Sequence, residues 1–239
     1  MKVPRMAIKK TPTRQSSVRR SGGRHGLTRQ RVVAEGRRLL DREGVNALSM
    51  RALAQRLGVS TMALYNHVSG KQDLMAGIAQ AVVDELHIPS EDNDWDERLR
   101  GIFRGLRKLC LANPRSIPLI ESAEVLPAIF RPMEATLAAL QQTGTDLQEA
   151  MRAYFLLTNF TLGQVSYEIR GPFRGLDPAE AVRRRTILPG DFPLVVKAAS
   201  AGNWDFDAAF EFGLETIIDG LTARVPTSRR PSKAKLRRL

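Results

Sequence analysis

The chain has 239 residues, a formal charge of +12 and a single cysteine. One thiol excludes an intrachain disulfide framework, no apolar run approaches the roughly eighteen residues of a membrane span, and the basic N-terminus lacks the apolar stretch of a secretory signal. The reading is a soluble, cytoplasmic protein able to bury one or two sizeable cores.

Residues 1–26 carry eight Lys or Arg and no acid, together with Pro4, Pro12 and Gly22-Gly23. That composition reads as a disordered basic arm. Arg19, Arg20 and Arg24 lie beside the first expected helix, within reach of a flanking DNA minor groove; the alternative is a solvated tail. Residues 224–239 hold seven more basic residues and no acid, a second tail open between the same two readings. The stretch 27–223 holds 22 basic and 25 acidic residues, so the folded part is mildly acidic. Charge alone does not mark a DNA binder here; pattern does.

Thr28 is a plausible N-cap for a helix with Val32, Val33, Gly36, Leu39 and Leu40 on one face, ended by Gly44. Met50, Leu53, Ala54 and Leu57 then recur at i, i+3, i+4 and i+7. Gly58 follows where a left-handed residue would stop that helix. Ser60 can cap a second helix that buries Leu64 and Val68 and turns Thr61, Met62, Ala63, Tyr65, Asn66 and His67 outward. This is the pattern of a helix-turn-helix whose second helix enters the major groove; an ordinary αα-hairpin is the plainer reading. Ser69-Gly70 opens a connecting helix, with Gln72 as capping-box partner, and Leu74, Ile78, Val82 and Leu86 carry its stripe to Pro89.

Beyond the acidic linker 90–94, helical periodicity returns and no strand alternation is found. Leu99, Ile102, Phe103, Leu106, Leu109 and Cys110 mark one helix, in which Cys110 reads as a small buried side chain. A short helical piece is expected near 115–122. Pro132 opens a helix through Gln142. The longest helix, 146–169, has Leu147, Met151, Tyr154, Thr158, Leu162, Val165 and Ile169 on one stripe, with Phe155, Leu156, Leu157 and Phe160 elsewhere, so its middle should be buried on both sides. Residues 172–193 read as irregular, with one helix from Pro178. Helices 192–201 and 205–223 close the fold, and Gly213 and Gly220 in the last permit close approach of a neighbouring helix.

Residues 28–87 resemble the N-terminal domain of TetR-family transcriptional regulators. The resemblance rests on Arg51-Ala52-Leu53-Ala54-Gln55-Arg56-Leu57-Gly58-Val59, Leu64-Tyr65, His67-Val68 and Lys71. Trp95, Phe160-Thr161-Leu162-Gly163, Phe212-Gly213-Leu214-Glu215 and Gly220-Leu221 extend it to the tetracycline-repressor branch. It implies an all-α protein: a basic arm 1–26, a helix-turn-helix DNA-binding domain 27–87, a helical effector-binding and dimerisation domain 88–223, and a basic tail 224–239. It also implies a homodimer through helices 146–169 and 205–223, a double-stranded DNA operator as partner, and a small-molecule effector. Two reading heads on a two-fold axis must stand about one helical turn, roughly 34–36 Å, apart, so a ligand that splays them is linked thermodynamically to release.

By the same resemblance Arg51 reaches a base edge, its fork suiting guanine, with a phosphate clamp as the alternative. Thr61, Met62 and Ala63 open the reading helix, the latter two offering only apolar contact. Asn66 is open between base and phosphate. Tyr65, His67 and Lys71 are expected on backbone phosphates, His67 alternatively as a partly buried turn residue. Thr28 and Ser49 join them as N-terminal contacts. On the effector side, His87 matches a drug-contacting position, but the branch's metal-binding histidine has no counterpart in 113–122. Asn159 replaces another histidine, and Tyr167 stands where an acid would. No metal or cofactor is therefore expected. A mostly apolar effector is expected among Phe103, Leu106, Ile120, Met133, Leu137 and Phe155, with His87, Asn159, Gln164 and Tyr167 as polar anchors; each is equally readable as a core or dimer residue. The rivals are a ligand-independent DNA-binding protein and an enzyme, the latter lacking any metal-ligand spacing, phosphate loop or nucleophile–histidine–acid set.

Overall fold

The structure, a computed structural model, describes residues 26–120, 126–171, 192–200 and 205–225. The expectations for the arm with Arg19, Arg20 and Arg24, for the stretch from 172 with its helix at Pro178, for a helix end at Ala201 and for the tail from 226 lie outside the described residues. Within them the chain is helices and turns without a strand, and no helix is long and apolar enough to cross a membrane.

Helix α1, Arg29–Glu43, starts at Thr28, whose hydroxyl accepts from the Arg31 N–H at 3.2 Å. It stops at Gly44, whose N–H returns to the Leu40 carbonyl at a φ of +86°. Ser49 caps α2, Met50–Leu57, by accepting from Ala52 N–H. Gly58 then takes the left-handed conformation, φ +67°, returning its N–H to the carbonyls of Ala54 and Gln55. A side chain there would be strained. Ser60 caps α3, Thr61–Tyr65, from the Ala63 N–H. The reading helix is thus only five residues long, and Val68, expected within it, lies in the following turn yet stays buried.

The connecting helix α4, Lys71–Val83, differs from expectation at both ends. Its N-cap is Gly70, so the residue at the third helical position is Asp73 and not Gln72. The Asp73 carboxylate reaches back past the cap and accepts from the Ser69 N–H at 2.8 Å. The helix ends at Val83, and residues 84–88 continue the apolar stripe as turns that still bury Leu86. Leu74 and Ile78 pack on α1 at Gly36, where an added Cβ would meet their methyls at 3.0 Å. Burying two such side chains stabilises this seam by about 2 kcal/mol each.

Asp73 has a second task. Its two oxygens accept from the Arg29 guanidinium at 2.6 and 2.9 Å, while Arg29 also donates to the main-chain oxygen of His67 at 3.1 Å. One arginine therefore ties the start of α1, the start of α4 and the turn after the reading helix.

The second group comprises α5, Trp95–Ala112; α6, Ile117–Ile120; α7, Leu126–Gln141; α8, Leu147–Arg170; α9, Pro193–Ser200; and α10, Phe206–Arg224. α8 packs against α5, α7 and α10 over a core that includes Trp95, Leu99, Phe103, Leu157, Phe210, Leu214 and Ile218. Asp146 and Asp205 cap α8 and α10, each accepting from two backbone N–H groups. Pro132 does not open a helix: it lies inside α7, which begins six residues earlier. The missing proline N–H is tolerated because it costs one bond of a long, packed helix, and the proline carbonyl still accepts from the Thr136 hydroxyl at 2.8 Å.

Charges lock α5 to α10 in register. Arg100, Arg104 and Arg107 share one face of α5 and meet Glu215, Glu211 and Asp207 across the seam, at 2.9, 2.6 and 2.6 Å respectively. Arg107 also bonds Glu168 of α8 at 2.8 Å and lies 5.0 Å above the Phe210 ring. Burial opposes the charge of Arg100, but its bonds to Glu215 and Asp96 outweigh that and raise its pKa. Phe160 stacks on Phe210 at 5.6 Å, and Gly213 admits it: a Cβ there would lie 2.3 Å from the Phe160 ring.

The long helix is not buried on both sides within one chain. Phe155 and Leu156 are 53% and 52% exposed, Phe212 is 76% exposed, and Gly220 has open space at its Cβ position. Gly213 therefore serves an internal contact, while Gly220 serves none among the described residues.

Two outcomes follow for stability. Gly213→Ala forces the Phe160–Phe210 stack apart and should cost roughly 1–3 kcal/mol in urea unfolding, as overpacking does; an unchanged midpoint would contradict that packing. Arg29, then the Ser69 N–H, hold the Asp73 carboxyl at about 2, below its ordinary 3.8. Its contribution is therefore present above pH 4 and lost as pH falls through about 2. Asp73→Asn should cost about 1 kcal/mol at pH 7, screened because Arg29 and Asp73 are 49% and 28% exposed. The stability difference from the parent should vanish towards pH 2 in acid titrations.

Candidate nucleic-acid interface and effector cavity

The outward face of the helix-turn-helix is built from short caps and one buried anchor. Leu64 is fully buried, fixing the rotation of α3. Met62 is then 75% exposed and Tyr65 48% exposed, with Asn66 also exposed and Thr61, Ala63 and His67 partly so. Arg51 and Lys71 stand exposed at the first turns of α2 and α4. Thr28 and Ser49 are exposed but engaged as caps, which leaves their hydroxyls a lone pair for a further partner.

Ion pairing sorts the cations of this unit. Arg56 is held by Glu35 at 2.9 Å and Glu43 at 3.4 Å, Arg38 by Glu35 at 3.0 Å, and Arg29 by Asp73. Arg51 has no acidic partner among the described residues, and neither does Lys71. Arg29 and Asp73 were not anticipated as functional residues. Their only local trace is an acid at the third position of a helix, because the pair spans 44 positions of sequence.

The second group encloses a cavity of about 90 Å³. Its wall takes Phe103 and Leu106 from α5, Ile120 from α6, Pro132 from α7, Tyr154 and Thr158 from α8, and Val83 from the end of α4. Of the residues expected there, Phe103, Leu106 and Ile120 line it. Met133 and Leu137 belong to the adjoining core. Phe155 is half exposed on another face, its ring edge-on to Tyr154 at 5.7 Å, and Asn159 is exposed. Gln164 and Tyr167 line a separate open cavity of about 610 Å³ with Val195 and Phe206. His87 is exposed in the turns after α4. The slips from Tyr154 to Phe155 and from Thr158 to Asn159 are one residue each, a rotation of about 100° around a helix.

A polar cluster joins α1, the turn after α4 and the end of α5. Arg37 of α1 pairs with Glu85 after α4 and donates to Asn113 Oδ1 at 2.9 Å at the end of α5. The buried Asn113 amide in turn donates to the Leu109 carbonyl, while Arg115 donates to the Asp41 carbonyl at 2.7 Å. α1 is thus hydrogen-bonded to the segments that follow α4 and α5. No cavity-lining residue is charged, and among the described residues no group of three His, Cys, Asp or Glu could hold a metal.

Residues 32–78 match the family of bacterial regulatory proteins, tetR family, and residues 88–225 match the tetracyclin repressor-like C-terminal domain. An HTH-type transcriptional regulator of Saccharopolyspora erythraea is 30% identical over 82% of this chain and 85% of its own. The class A tetracycline repressor protein from transposon 1721 of Escherichia coli is 31% identical over 81% and 89%. The Streptomyces coelicolor TetR family protein ActR, crystallised in complex with actinorhodin, is 29% identical with a TM-score of 0.71, covering 85% of this chain and 99% of that one. This chain therefore belongs to the TetR family and is a DNA-binding transcriptional regulator rather than an enzyme.

Proposed function

We propose that the protein is a homodimeric repressor of a palindromic operator, released when a mostly apolar small molecule enters the cavity at Phe103, Leu106 and Ile120. The observation that carries this reading is Val83: the last residue of the connecting helix is part of the cavity wall. Small-molecule sites usually run to about 300–1,000 Å³, so a ligand seated in about 90 Å³ must displace a wall. Displacing Val83 moves α4, which is packed on α1 at Gly36 and bound to it through Glu85 and Arg37. The head then turns relative to its partner's, and the spacing of successive major grooves is lost. Actinorhodin in ActR and the tetracycline repressors among the relatives are consistent with a ring-shaped effector.

In this reading 27–87 is the DNA-binding unit and 88–223 the effector and dimer unit. The exposed Phe155, Leu156 and Phe212 and the open Gly220 make a self-complementary face on α8 and α10, an unburied apolar surface of the kind that marks an interface. Arg51 reads a base; Thr61, Met62 and Ala63 supply shape at the groove, and Asn66 joins them; Tyr65, His67, Lys71, Thr28 and Ser49 hold phosphates.

Two measurements test this. Arg51→Ala should weaken operator binding by roughly 1–3 kcal/mol and relax preference at one base position in a binding-site selection; an unaltered preference would reject the base contact. Small molecules that raise the melting temperature of the full chain should also release it from the selected operator, and stabilising ligands that leave operator affinity unchanged would point to a ligand-independent DNA binder.

A further inference from the structure

Threonines in these helices normally return their hydroxyls to the backbone. Thr136, Thr216 and Thr222 each donate to the carbonyl four residues earlier, at 2.8, 2.7 and 2.8 Å. Thr158 does not: its Oγ1 is shut off from solvent and completes no hydrogen bond. Thr161 Oγ1 shares that condition, but only Thr158 adjoins a void, the apolar cavity between α5, α7 and α8. One turn earlier the same wall carries the buried Tyr154 hydroxyl. Burial pushes that phenol's pKa up, and Tyr154 and Thr158 stand one turn apart on the same wall. Every other lining group is hydrocarbon.

An unsatisfied O–H donor in a low-dielectric pocket is costly, and a ligand oxygen that accepts from it removes the cost. A charged ligand or a metal chelate would instead be buried without a counter-charge. We propose that Thr158, backed by Tyr154, is the specificity-determining contact of the effector cavity, and that its ligand is an uncharged, largely apolar molecule presenting a carbonyl oxygen to this turn of α8. The proposal rests on reading this cavity as the effector site.

The test uses the full chain and a matched pair of probes: 1-indanone, which carries the carbonyl, and indane, the same ring frame without it. Calorimetric titration should show 1-indanone binding about fivefold more tightly, the worth of one net hydrogen bond. Thr158→Val, nearly isosteric, should erase that preference while leaving indane affinity unchanged, and Thr158→Ser should keep it. The valine variant should also melt at or above the parent temperature in the absence of ligand, since it removes an unpaired donor. Equal affinity for the two probes in the parent, or a preference that survives Thr158→Val, would overturn the Thr158 assignment while leaving the cavity reading intact. Binding of neither probe, or binding unaffected by filling the cavity with Leu106→Trp, would overturn the cavity reading and the proposal together.

Discussion

α4 has to satisfy two cores at once. Its Leu74 and Ile78 complete the interior of the DNA-binding unit against Gly36, and at the last of its 13 residues Val83 closes a cavity of the other unit. Neither core can repack at α4 without the other registering it, because packed interiors shift between discrete arrangements and do not deform freely. The polar cluster at its C-terminal end, Arg37 with Glu85 and Asn113, removes the remaining slack. At its N-terminal end Arg29 and Asp73 do the same for the reading head. A helix pinned at both ends is held as a rigid element between the two cores.

Electrostatics is arranged by subtraction. The reading unit holds nearly as many acids as bases, and Arg29, Arg37, Arg38 and Arg56 are each engaged by an acid. The pairs of Arg29, Arg38 and Arg56 are partly exposed and individually contribute little stability. Their larger effect is on the field: they neutralise cations that would otherwise attract any phosphate, while Arg51 and Lys71 stay exposed without an acidic partner among the described residues. In the second unit the same residue type is used structurally, with three arginines of α5 setting the register of α10.

What the sequence made legible follows the range of the interactions involved. Thr28, Ser60, Gly44 and Gly58 were readable as caps because capping is decided within four residues. The helix-turn-helix and the two-part helical organisation followed from periodicity. The start of α4 was misread by one position, since Ser69 and Gly70 compete for the cap and only the backbone decides that Asp73 becomes the partner. Pro132 was misread as a helix start because proline is most often found there; packing of α7 against α5 and α8 overrode that preference. On α8 the cavity is lined by Tyr154 and Thr158 and not by the expected Phe155 and Asn159, because an α8 apolar on most faces carries no amphipathic signal to fix its rotation. The Arg29–Asp73 link needed the folded chain.

The reading helix, at five residues, is far below the length at which a helix holds itself together in water. Its geometry is supplied from outside, by the Ser60 cap, the Leu64 anchor and the turn that Arg29 grips. Its outward side chains are therefore almost uncoupled from folding. Met62, Tyr65 and Asn66 can be exchanged without consulting the core, so the outward chemistry of this helix is free to vary while the fold beneath it stays the same.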